Sequence, residues 1–362
     1  MSELVIVVSD LYLAAGALMP SSDREQLPGL SRLARYGAAE RLPHGWRAWL
    51  AAWLGRGDLA AESPAAIAAA GVPPLGGEPS TPAGFVWLAE PLHLTPSLTS
   101  VHLSPHGLLR LDAATQEELC RAFNATFAEL GYGLAPARAG RLLARGAAPA
   151  GPIETTDPAR CLGATLAEAL PRGRAAGALR RLGTEIEMWL HEHPINRRRL
   201  GLSRLPISTL WLWGGGPRRD PRIERPARAD APRSAAVFSD DPYVEGLSQL
   251  LRAPCARAAR TLAGVGAPGA PRIVATLELF ARQDEPTGAE RSNRATTATR
   301  ALEAFDRDWL VPALDQLARG SLSRCTLVAN DRRVSLASRD RWKLWRRPRA
   351  ALAVLAHGGA VP

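Results

Sequence analysis

The sequence predicts an α/β fold of three layers, with helices on both faces of a mostly parallel sheet and an inserted α+β subdomain. Two observations point there. Short apolar, β-branched runs alternate with stretches of helical period, as right-handed βαβ units require. Residues 205–216 read Leu-Pro-Ile-Ser-Thr-Leu-Trp-Leu-Trp-Gly-Gly-Gly, apolar on both faces before stopping in three glycines. Two-sided burial is the pattern of a parallel strand covered by helices. The glycines let backbone approach closely something beyond the strand's carboxyl end, where open α/β sheets bind ligands. They lack the spacing of a nucleotide fingerprint, so a strand-ending turn is the first reading and ligand contact the second.

Residues 3–8 form the first, central strand, with Ser9-Asp10 at its carboxyl tip. Helices follow at 27–36 and 46–54. Trp46, Trp49 and Trp53 fall on one stripe of the second, read as core packing rather than an aromatic ligand box. Ser63, before Pro64, reads as a helix cap. A Pro/Gly-rich break at 71–84 leads into strand-like stretches at 85–88, 98–103 and 108–111 and helices at 113–130 and 174–193. The inserted subdomain is assigned to 85–199 and the core to 1–84 with 200–362. After an exposed loop at 217–233, strands at 235–238, 272–280 and 325–329 alternate with helices at 243–251 and 297–317. Asp240 and Asp241 follow the first of these strands.

With 362 residues, 46% of them apolar, the chain can bury a sizeable core. No run approaches the roughly 18–20 apolar residues of a membrane helix. The opening Met1-Ser2-Glu3-Leu4 has no basic region and Asp10 interrupts the apolar run after it, so the expectation is a cytoplasmic protein. Cys120, Cys161, Cys255 and Cys325 form no Cys-x-x-Cys pair and are expected to be reduced, buried thiols. The net charge of +10 is almost wholly arginine, Lys343 being the single lysine, and supports only non-specific attraction to phosphates. Residues 217–233 carry six arginines against three acids, and residues 339–349 add Trp342 and Trp345 among six basic residues and one acid. No helix-turn-helix, ribonucleoprotein or zinc-finger pattern accompanies them, so both read as solvated faces and nucleic acid is not an expected partner.

His193-Pro194-Ile195-Asn196-Arg197, Gly201 and Leu210 to Gly216 resemble the segment of archaeal-type cofactor-independent phosphoglycerate mutases in which His-Pro-x-Asn precedes a Leu-Trp-Gly-x-Gly strand end. With Glu185, Met188 and His191-x-His193, the chain is more similar still to bacterial RpfE-type regulatory proteins, which are phosphoglycerate mutase-like. The resemblance implies a core of alkaline phosphatase type. It also makes Asn196, Arg197, Gly214, Gly215 and Gly216 ligand-binding candidates.

Chemistry of that superfamily implies two divalent metals on Asp and His side chains and a Ser or Thr nucleophile. No histidine lies between His193 and His357, where the family's metal-binding histidines fall. Asp331 stands where an Asp-His pair is expected, but the residues after it are Arg332 and Arg333, which ligate no metal. No Ser or Thr after Asp10 has the nucleophile's context. The first functional class is therefore a regulatory or binding protein without catalytic metals or other cofactor. Its expected partners are a phosphorylated or carboxylate small molecule, held by Arg332 and Arg333 opposite Asp10, or another protein; an internal ion-pair cluster is the preferred reading of those arginines. The second class is a phosphotransferase with Mg or Mn on an all-carboxylate site of Asp10, Asp240, Asp241 and Asp331, with Asp10 and Asp331 as catalytic candidates. Glu187 and His191 share a helix face and invite a metal reading, but His193 begins the bend at Pro194 and a structural role is taken for it. Glu185 and Met188 are read as packing residues.

Overall fold

A computed structural model describes residues 1–12, 27–72, 84–218, 235–266, 269–283 and 294–342. In chain order the elements are β1 (Ser2–Val8), α1 (Pro28–Tyr36), β2 (Ala38–Arg41), α2 (Gly45–Trp53), α3 (Pro64–Ala68), β3 (Phe85–Pro96), β4 (Val101–Arg110), α4 (Ala113–Phe127), β5 (Gly133–Pro136) and β6 (Leu142–Gly146). Then come α5 (Ala176–Glu192), α6 (Pro194–Gly201), β7 (Thr209–Pro217), β8 (Ala235–Phe238), α7 (Pro242–Leu251), β9 (Cys255–Ala256), β10 (Arg272–Leu277) and β11 (Arg282–Gln283). Helix α8 (Arg294–Phe305) passes through a π-helical turn (Asp306–Leu310) into α9 (Val311–Ala318), followed by β12 (Leu322–Ala329) and β13 (Arg332–Ala337).

The first sheet has the order β2-β13-β12-β1-β10-β8-β9, and from β12 to β9 every pairing is parallel. Strand β1 accounts for its layering. Leu4, Ile6 and Val8 enter a core with Leu30 and Leu33 of α1 and Leu314 of α9, while Val5 and Val7 enter another with Trp46 and Leu50 of α2 and Leu247 of α7. A strand with apolar side chains on both pleat faces must be covered twice, and it is. The expected α/β core with a mostly parallel sheet is therefore present. Trp46 is buried, and Trp49 stacks on Trp53 with ring centroids 6.1 Å apart, so the stripe is core packing. Ser63 caps α3, its Oγ accepting the Ala66 N–H at 3.2 Å.

The second sheet runs β11-β4-β3-β6-β5, with β7 also on β3, and all its pairings are antiparallel except β11 with β4. Here one expectation is corrected. The strand that ends in glycines is not a parallel strand of the main sheet; it lies antiparallel to β3, with Trp213 opposite Leu88 and Thr209 opposite Leu92. Its two-sided burial has another origin. Leu210 and Leu212 pack with Phe123 of α4 and Ile186 of α5, while Trp211 and Trp213 pack with Ala65 and Ala68 of α3.

Strands β2 and β13 were not foreseen. They add an antiparallel edge to the main sheet through a two-residue turn, Asn330-Asp331, whose φ values of 51° and 53° are those of a type I′ hairpin. Three further corrections concern side chains. Cys255 is only partly buried, while the other three thiols are buried, and all four are free. Met188 is 62% exposed and Glu185 is also exposed, so neither packs as expected. The arginine-rich stretches lie, from 219 and from 343 onward, outside the described residues. Among the described residues no helix is long and apolar enough to cross a membrane.

Candidate functional site

Parallel strands that end together present the residues after them to one crevice. Here those residues are acidic: Asp10 after β1, Asp240 and Asp241 after β8, Glu278 after β10 and Asp331 after β12. Each is already engaged. The Asp10 carboxylate is 1% exposed and accepts the N–H groups of Leu279, Phe280 and Ala281 at 2.8, 2.6 and 2.9 Å. Burial, and then the negative charge of Glu278, push its pKa up to about 6 against the pull of those three bonds.

Glu278 has the opposite balance. Burial raises its pKa, but Arg110 and Arg141 outweigh burial and hold it at about 2. Arg110 grips it as a fork, Nε to Oε2 at 2.9 Å and Nη2 to Oε1 at 2.6 Å, and spends Nη1 on Glu90 at 2.8 Å. Arg141 bonds Glu278 as well and stands 3.1 Å from Glu90 and 3.6 Å from Asp241. Asp241 caps α7, its Oδ1 accepting the Tyr243 N–H at 2.8 Å, and lies 3.7 Å from Arg47. Arg47 bonds Asp157 at 2.7 Å and stacks between Trp46 and Trp213, 4.3 and 4.7 Å from the ring centroids. Arg160 pairs with Asp331 at 2.5 Å and lies over the Tyr12 ring. Arg138 stands 3.5 Å from Asp240 and bonds Glu245 at 2.8 Å.

Four of these five arginines come from the second sheet and its connections, whereas the strand-end carboxylates belong to the first. Among the described residues, the donors at these strand ends do not fit a two-metal centre. Among the described residues no three His, Cys, Asp or Glu side chains come together in a group that could hold a metal. Asp10, Asp240, Asp241 and Asp331 thus do not assemble an all-carboxylate site there, because backbone N–H groups and guanidinium forks take their oxygens.

The remaining sequence candidates go elsewhere. Arg333 does not face Asp10: it bonds Glu40 of β2 at 3.0 Å and lies over Trp49. The Asn330-Asp331 turn sends it and Arg332 back along β13, which β12 separates from β1 by two strand spacings, roughly 9–10 Å. Asn196 is buried and fully used, its Nδ2 donating to the Leu190 and Ile207 carbonyls and its Oδ1 accepting the Ile207 N–H, each at 2.8 Å. Arg197 is exposed. His193 caps α6 through Nδ1, which accepts the Ile195 N–H at 3.2 Å, so the structural reading of that bend holds. What the three glycines admit is protein. A Cβ on Gly216 would lie 1.9 Å from the Ser63 hydroxyl, one on Gly215 2.5 Å from the Trp87 indole nitrogen, and Gly214 has φ +61° beside Pro64.

Sequence reasoning missed Arg47, Glu90, Arg110, Arg141, Asp157, Arg160 and Glu278. A signal existed for two of them: Glu90 and Arg110 are lone charges inside apolar strand runs, and a buried lone charge requires a partner. Beside the cluster, between the two sheets, lies a cleft of about 1050 Å³ lined by Arg110, Arg138, Asp240, Glu278, Arg257 and Arg260 among others.

Comparison with known proteins follows this geometry. No family model matches the chain. It is 29% identical over 189 residues to the 2,3-bisphosphoglycerate-independent phosphoglycerate mutase of Methanothrix thermoacetophila, covering 49% of this chain and 46% of that protein. It is 39% identical over 54 residues to the probable enzyme of the same name from Geobacter sulfurreducens, covering 15% of this chain and 14% of that protein. The chain thus spans less than half the length of either relative. Among solved structures, the cofactor-independent phosphoglycerate mutase of Thermoplasma acidophilum overlays with a TM-score of 0.38 at 17% identity, covering 92% of this chain and 89% of that one. A Pyrococcus horikoshii protein overlays at 0.41 and 14% identity, covering 93% and 87%. Over about half its length, then, the chain is related in sequence to 2,3-bisphosphoglycerate-independent phosphoglycerate mutases.

Proposed function

We propose that this chain is a phosphoglycerate mutase-like protein of the RpfE-type regulatory kind, acting by binding a phosphorylated or carboxylate small molecule rather than by two-metal catalysis. One observation carries the reading: the strand-end carboxylates Asp241, Glu278 and Asp331 are paired with Arg47, Arg110, Arg141 and Arg160 instead of standing together as metal ligands. A guanidinium neutralises a carboxylate as a divalent metal would, but it offers no open coordination position to polarise a phosphoryl oxygen or activate a nucleophile. Freeing two or three of these acids for a metal would strand buried arginines, at a cost of several kcal/mol each.

The test is conversion of 3-phosphoglycerate to 2-phosphoglycerate with added manganese or magnesium, together with metal analysis of the dialysed protein. No turnover and no stoichiometric metal are expected. Metal-dependent turnover that disappears in Asp10→Ala would overturn the reading.

A further inference from the structure

Two arginines at the cleft stand outside its ion-pair network among the described residues. Arg257 and Arg260, on the stretch between β9 and the turn at Leu262–Gly264, line the cleft, are exposed, and make no side-chain ion pair or hydrogen bond among the described residues. The six carboxylates lining the same cleft are engaged by other arginines: Asp240 and Glu245 share Arg138, Asp241 faces Arg141, Glu278 faces Arg110, Asp112 faces Arg204 at 3.1 Å and Asp308 faces Arg307 at 2.9 Å. Arg257 and Arg260 are therefore the lining guanidinium groups that no carboxylate takes up among the described residues. A guanidinium with its fork open accepts a phosphate, carboxylate or sulfonate through two parallel bonds.

The loop that carries these arginines is anchored. The Trp309 indole N–H, in the π-helical turn, donates to the Arg260 carbonyl at 3.0 Å. Other parts of the lining are apolar, with Ala301 and Ala304 one turn apart on α8, and Ala258, Ala259 and Leu279. At about 1050 Å³ the cleft is as large as the pockets, roughly 300–1,000 Å³, that enclose drug-sized ligands, and a three-carbon phosphoester would leave most of it empty.

We propose that this cleft binds an amphipathic organic anion of about mononucleotide size, its anionic group held by Arg257 and Arg260 and its less polar body lying along Ala301 and Ala304. The proposal rests on the binding-protein reading above and specifies its ligand by size and polarity.

The experiment is a fluorescence titration of the full chain with anilinonaphthalene sulfonate, an aromatic anion of suitable size, followed by displacement with AMP and with 3-phosphoglycerate. Saturable one-to-one binding is expected, displaced by AMP at concentrations at least about tenfold below those 3-phosphoglycerate requires. The Arg257→Ala/Arg260→Ala variant should bind the probe at least about tenfold more weakly with an unchanged Tm, since neither side chain makes an ion pair or hydrogen bond among the described residues. Ala304→Trp should abolish binding by filling the apolar side without changing charge. Absence of saturable binding, binding undiminished in both variants, or displacement by 3-phosphoglycerate as effective as by AMP overturns the proposal. Mutase turnover would instead overturn the binding-protein reading, whatever the titration gives, so the two failures are distinct.

Discussion

Arg110, at the end of a strand in the second sheet, holds Glu278, at the end of a strand in the first, by two hydrogen bonds of 2.9 and 2.6 Å. Both side chains are largely buried, and Arg110 also satisfies Glu90. Such a pair contributes little relative to a well-packed apolar alternative, yet breaking it is expensive because the surviving charge stays buried. Arg110→Ala is therefore expected to destabilise the protein by about 3–5 kcal/mol in urea denaturation, with Glu278→Gln milder because an amide can still accept from the fork. Equal, small losses in both would mean that solvent reaches the pair.

Asp10 and Glu278 predict opposite pH dependences. The folded pKa of Asp10 is raised to about 6, so its contribution to stability is greatest below the ordinary carboxylate range and is lost as pH rises toward 6. Glu278, lowered to about 2, contributes stability above its ordinary value of 4.5 that is lost as pH falls toward 2. In a pH series of unfolding free energies, Asp10→Asn should remove the component that declines between pH 4 and 6. A series with the same slope there as the unmodified protein would rule out Asp10 as its source.

Gly216 touches the cap of α3 with no room for a methyl group, its built Cβ lying 1.9 Å from Ser63 Oγ. Gly216→Ala should cost about 1–3 kcal/mol through overpacking. Adding Ser63→Gly should recover part of the loss, since glycine is a tolerable cap and removes the clashing atoms. Thermal denaturation of the three variants checks this, and an additive double variant would place the strain elsewhere.

Asn196→Ala leaves the Leu190 carbonyl and both backbone groups of Ile207 without their partners in a buried setting, and is expected to cost about 2–4 kcal/mol. Arg197→Ala, one residue on and exposed, should leave Tm unchanged within about a degree. If the two positions respond alike, the motif they share acts through something other than this hydrogen-bonded staple.

Local pattern made much of the fold legible. Strand β1 is recognisable because a run of five apolar residues, Leu4 to Val8, leaves no solvent face, and Ser63 because a hydroxyl before proline has one common use. Failures arose where different tertiary arrangements produce the same pattern. Thr209 to Trp213 is buried on both sides in an antiparallel sheet as completely as in a parallel one, and only its partner strand distinguishes the cases. Asp331 reads as a metal-ligand candidate from its place after a strand, although adjacent Asn and Asp are also a hairpin signal. The arginine cluster was the least legible. Arg47, Arg110, Arg141 and Arg160 are scattered over more than a hundred positions, and no spacing rule links residues joined by the packing of one sheet against another.

That packing has a consequence for cooperativity. Two sheets with separate apolar cores would ordinarily be free to melt independently, each with its own transition. Here the electrostatic partners of each lie in the other, so opening either half strands ionised groups in the half that remains. The two should therefore share one calorimetric transition, and amide protection at the strand ends should be lost together with that of the central strands.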